Sequence, residues 1–195
     1  MKKVVLIFVA LLFSVTANAQ DLNFGVKAGL NLSSITGDET DDLSSLTSFH
    51  AGVMADISIS ETFSVQPEII YSAQGTKYDD SDGFDGKFKF DYLNIPIMAK
   101  VEVTEGLSVE AGPQIGFLLS AKDEYESASE SGEDDVEEFF KSTDIAVGLG
   151  VSYAMETGLY VGARYNLGVT DIWDIDSGIT NQNGVFQLSV GYFIK

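Results

Sequence analysis

Apolar and polar residues alternate along eight stretches of this chain, with the two-residue period of a strand rather than the 3.6 of a helix. The first stretch carries Phe24, Val26, Ala28, Leu30 and Leu32 on one face, and Asn23, Gly25, Lys27, Gly29 and Asn31 on the other. Stretches 49–59, 63–73, 93–103, 107–119, 145–155, 159–169 and 186–194 repeat the pattern. Their forty-seven apolar-face positions include no charged residue. The other faces are built from Gly, Ser, Asn and Gln with a few charges.

Volume decides which face points in. A soluble barrel around a ligand would alternate in the same way, with the apolar face inward. Eight strands enclose room only for their own side chains or one small ligand. Forty-seven apolar groups would overfill that space, whereas a face holding Gly25, Gly29, Gly52, Gly112, Gly116, Gly148, Gly150, Gly162, Gly168 and Gly191 fits it. The apolar face therefore points outward, into lipid. The expected fold is all-β, an eight-stranded antiparallel up-and-down transmembrane β-barrel.

The connections agree with this reading. Three are tight, at 60–62, 104–106 and 156–158, and four are long, at 33–48, 75–92, 120–143 and 170–185. Short turns on one rim and long loops on the other mark outer-membrane barrels, with the long loops outside the cell. Pro67, Pro96 and Pro113 fall within stretches, where each removes a ladder donor, and are expected at bulges. Phe88, Phe90 and Tyr92 have the wrong parity for an outer face, and a bulge near Asp91 would return them to an outward aromatic girdle.

The N-terminus reads as a secretory leader. Lys2 and Lys3 precede an apolar run over 4–15, too short to span a bilayer, and Ala17-Asn18-Ala19 follows as a cleavage pattern. Cleavage after Ala19 leaves 20–195 as the outer-membrane barrel domain. It also removes two lysines and moves the net charge from −19 to −21. That balance excludes a nucleic-acid partner, which needs basic patches. With no cysteine, disulfides and an N-terminal lipid anchor are excluded too.

Several segments carry a family likeness. Gly25-Val26-Lys27-Ala28-Gly29-Leu30-Asn31, Tyr92-Leu93-Asn94-Ile95-Pro96-Ile97, Gly112-Pro113-Gln114-Ile115-Gly116 and Leu188-Ser189-Val190-Gly191-Tyr192-Phe193 resemble the PorT-like outer-membrane β-barrels of Bacteroidetes. The likeness spans the chain beyond the leader. It implies an outer-membrane barrel that tolerates prolines at these positions. One branch of those barrels supports protein export, and no motif here marks that branch.

The candidate chemistry lies in the lumen and the loops. Lys27, Asp56, Glu68, Lys100, Glu102, Glu110, Asp144 and Arg164 fall on the inward face. Buried charges need partners. A network of Lys27, Asp56, Glu68, Lys100, Glu110 and Arg164 is expected, with Arg164 clamped by Glu68 and Glu110 as a plug. A narrow gated ion pathway through the same residues is the alternative. His50, the only histidine, falls at the loop-side rim without G-x-S-x-G or H-E-x-x-H. It reads as a hydrogen-bonded structural residue, and no enzyme is expected.

Stretch 120–143 has nine carboxylates against Lys122 and Lys141, a net of −7. Asp79, Asp80, Asp82, Glu133, Asp134 and Asp135 are weak candidates for Ca²⁺, although 79–83 lacks the distal glutamate of a calcium loop. Otherwise no cofactor is expected. A monomer in outer-membrane lipid follows, with a structural or surface-interaction role and acidic loops suited to a basic protein partner. A narrow porin-like conduit is the second reading.

Overall fold

A computed structural model describes residues 22–79, 85–126, 131–174 and 178–194. The leader expected over 1–19 lies outside the described residues. The strands are β1 (Leu22–Gly37), β2 (Leu43–Ser58), β3 (Phe63–Asp79), β4 (Asp85–Thr104), β5 (Leu107–Glu126), β6 (Ser131–Asp135), β7 (Thr143–Ala154), β8 (Leu159–Gly168) and β9 (Asn181–Ile194). All pairings are antiparallel. β1 pairs with both β2 and β9, and β4 pairs with β5, so eight strands close in the ring β1-β2-β3-β4-β5-β7-β8-β9. β6 is a ninth strand, attached only to the upper part of β5.

Alternation sorts the side chains as the volume argument requires. Phe24, Leu30, Leu149, Val190 and Ile194 stand outside, each at least 58% exposed, while Asn31, Gln66, Glu68 and Arg164 are buried within. A belt of that size is far beyond the apolar patch of a soluble monomer and is covered by lipid. The tight turns behave as expected. Gly106 (φ 75°) and Gly158 (φ 92°) take the left-handed conformation that closes two of them.

Three expectations are corrected. First, three of the four long connections are largely strand, and the fourth, 170–185, becomes strand from Asn181. β1 runs to Gly37, β2 starts at Leu43, β3 reaches Asp79, β4 starts at Asp85, β5 reaches Glu126 and β9 starts at Asn181. Above the bilayer both faces are wet, so the alternation that marks a strand fades while the ladder continues. Second, the prolines are not bulges. Pro67 pairs with Ile97 and Pro96 with Gln114, and the register on either side is unshifted. The bulges lie between Ser45 and His50, between Asp91 and Tyr92, and between Glu102 and Thr104. Third, Phe88, Phe90 and Tyr92 form no outer girdle. The slip beside Asp91 inserts its extra residue on β5, so β4 keeps its parity and Phe90 and Tyr92 face inward, 1% and 2% exposed.

Close strand approach fixes one inward glycine in particular. A Cβ on Gly29 would lie 1.9 Å from the Leu188 carbonyl oxygen and 2.7 Å from His50 Cε1. Gly29→Val is expected to prevent ring closure between β1 and β9. Loss of the heat-dependent shift on SDS gels, with the wild type retaining it, checks this.

Candidate functional site

The ring order places β3 and β8 four strands apart, on opposite walls of an eight-stranded bore. Glu68 on β3 and Arg164 on β8 nevertheless meet. The guanidinium donates from Nη1 to Glu68 Oε2 at 3.0 Å and from Nη2 to Oε1 at 2.8 Å. Its Nε donates to Glu110 Oε1 at 2.7 Å, from the β5 wall. Lys27 on β1 completes the cluster, with Nζ 2.7 Å from Glu68 Oε2. Two cations and two carboxylates are thus joined across the diameter, net neutral, with side-chain exposures of 3% or less.

Asp56 and Lys100 form a second pair at 2.6 Å, nearer the short turns. Gln66 joins the two levels, donating to Glu68 Oε1 at 2.6 Å and accepting from Lys100 Nζ at 2.9 Å. All six expected network residues therefore lie in one connected array. Gln66 was missed because a neutral amide carries no charge signal. The other two inward-face charges are placed differently. Glu102 is exposed at a turn, where its carboxylate accepts from the Gly106 N–H at 3.1 Å. Asp144 is buried near the mouth, accepting from Thr170 Oγ1 at 2.9 Å.

A neutral layer covers the charged one. His50 lies inside the barrel, 1% exposed, and not at the rim, because β2 continues beyond it to Leu43. Its Nδ1 is 2.8 Å from Asn31 Oδ1 and its Nε2 is 2.9 Å from Ser189 Oγ. The Asn31 amide nitrogen already donates to Ser72 Oγ and the Ala73 carbonyl, which fixes Oδ1 as the acceptor. Nδ1 therefore carries the histidine proton, and Nε2 accepts from Ser189. Gln187 Nε2 also donates to Asn31 Oδ1, at 3.0 Å.

An apolar cap covers the mouth at the long-connection end. Ile35, Phe90, Tyr92, Leu118, Ala121, Phe140 and Ile172 pack as one buried cluster, with Phe88 and Trp173 against it. Phe140 lies 4.8 Å from Phe90 and 4.8 Å from Trp173, centroid to centroid. Backbone bonds from Lys141 N to the Ile172 carbonyl (2.8 Å) and from Asp174 N to the Phe139 carbonyl (2.9 Å) tie the two covering segments together. Sequence reasoning moved Phe88, Phe90 and Tyr92 to the outside against their parity, and nothing in the sequence marked Phe140 or Trp173 as their cover.

Of the metal candidates, Asp80 and Asp82 lie outside the described residues, as does the side chain of Asp79. Glu133 pairs with Lys122, and the Asp135 carboxylate accepts from the Glu137 N–H at 3.1 Å. Among the described residues no group of three or more His, Cys, Asp or Glu side chains is arranged to hold a metal ion. On the strand extensions, Glu124 accepts from Lys87 (2.6 Å) and from Lys89. Those two bonds hold its carboxyl down to about 2, against an ordinary 4.5. Its contribution to the extension is therefore complete above the ordinary glutamate range and is lost as pH falls through about 2. A Glu124 side-chain NMR titration midpoint well below 4 checks this, and a midpoint near 4.5 contradicts it.

Comparison with known proteins meets this geometry. The profile of the outer membrane protein β-barrel domain matches residues 18–174. The chain belongs to that family. Its fold resembles that of Ail, the attachment invasion locus protein of Yersinia pestis, with a TM-score of 0.56 and 17% identity over 88% of this chain and 98% of Ail. Ail solved in complex with the heparin analogue sucrose octasulfate gives a TM-score of 0.53 at 16% identity, over 89% of this chain and 99% of Ail. Neisserial surface protein A gives 0.50 at 15% identity, over 88% of this chain and 96% of its own. At these identities the likeness is one of fold. No curated protein matches the chain. The protein is a small outer-membrane β-barrel.

Proposed function

We propose that this barrel is closed to solutes and serves as a platform, presenting acidic strand extensions outside the cell for interaction with another molecule. The observation that carries the closed reading is the Glu68–Arg164 bond across the full bore. A charge pair held by walls four strands apart obstructs the bore at that height, and the aromatic cap adds a second barrier above it. The likeness of 25–31, 92–97 and 112–116 to PorT-like barrels supports a place in that group. Ail was solved with a polyanion. Here the extracellular segments are rich in carboxylates, which repel such a ligand and favour a basic partner.

Solute flux tests the closed reading. Liposomes carrying the refolded barrel are expected to swell in iso-osmotic arabinose no faster than protein-free liposomes. Swelling that scales with protein content would make it the conduit instead.

A further inference from the structure

The upper sheet ends in an open edge. Beyond the barrel proper, β5 continues over 122–126 with β4 on one side and β6 on the other. β6 ends the sheet, and no described strand pairs with its outer side. The hydrogen-bond phase is fixed by Val136 N donating to the Ala121 carbonyl at 3.0 Å. In an antiparallel ladder that phase alternates, so Asp134 and Gly132 bond to β5, while Ser131, Glu133 and Asp135 turn their N–H and C=O groups outward. A row of unpaired main-chain groups is a template for an added strand.

Beside this edge lies a cleft of about 540 Å³. Among the described residues it is lined by Asp135, Glu137, Glu138, Phe140, Ser142 and Asp174, four carboxylates and no cation. The charge also chooses the occupant. A second copy of β6 would bring Glu133, Asp134 and Asp135 against the same three residues, so edge-to-edge self-pairing is opposed.

We propose that the outer edge of β6 binds an extended basic polypeptide segment as an added β-strand, with a lysine or arginine side chain seated in the carboxylate-lined cleft. The main chain supplies the pairing and the cleft supplies the selectivity. This rests on the surface-interaction reading and names the partner's chemistry.

The test uses the full barrel in neutral-lipid nanodiscs and two probes of equal charge. One is a lysine–valine alternating decapeptide, and the other a lysine–proline decapeptide that cannot pair as a strand. The lysine–valine peptide is expected to bind at least about tenfold more tightly. It should also slow hydrogen exchange at the Ser131, Glu133 and Asp135 amides. Glu137→Gln/Glu138→Gln/Asp174→Asn should weaken it about tenfold while leaving the heat-dependent gel shift intact. Equal binding of both probes, protection of those amides by self-association without peptide, or no binding would each overturn the proposal. The two readings fail separately. A barrel that conducts yet keeps peptide selectivity breaks only the closed reading, and a silent barrel that ignores the lysine–valine peptide breaks only this one.

Discussion

Arg164→Ala is expected to destabilise the folded barrel by about 3–5 kcal/mol, the cost of breaking a buried ion pair from one side. The guanidinium gives two bonds to Glu68 and one to Glu110, and among the described residues no other cation bonds to Glu110. Without it the crossing cluster holds two carboxylates against Lys27 alone. Equilibrium urea unfolding in lipid vesicles measures the effect, with Trp173, the only tryptophan, as the fluorophore. Adding Glu110→Gln to Arg164→Ala should recover part of the loss, because it removes the orphaned carboxylate. An Arg164→Ala barrel as stable as the wild type would mean that the crossing bond contributes nothing.

The second large effect is at the mouth. Phe140→Ala removes a ring that is 5% exposed and wedged between Phe90 and Trp173, at a cost to the cap of about 3–5 kcal/mol. The barrel ladder does not depend on that ring, so the gel shift should persist. The covering segments should instead lift away from Phe90. A red shift of Trp173 emission with easier acrylamide quenching is the expected signature, and unchanged emission would show that the cap is held by its backbone bonds alone.

The outward face was legible because lipid permits no charge there, so one period sorted forty-seven positions. The crossing pair was legible for a related reason: the only arginine fell on the inward face with carboxylates on other strands at similar height. Two things were hidden. Strand extension above the bilayer leaves no alternation to read, as 122–126 and 131–135 show with polar residues on both faces. Parity alone put Phe90 and Tyr92 inside with Asn94, and only the habit of assigning aromatics to an outer girdle argued otherwise. Neutral partners such as Gln66, Asn31 and Gln187 were silent because an amide signals nothing until its neighbours are known.

Those two barriers lie in series, the crossing charge pair below and the aromatic cap above. Single-channel recording in planar bilayers tests them together, on the wild type and on Arg164→Ala/Phe140→Ala. A silent wild type beside a double variant that conducts in discrete steps is the predicted result. Steady openings from the unmodified barrel would contradict a closed lumen and make the protein a channel.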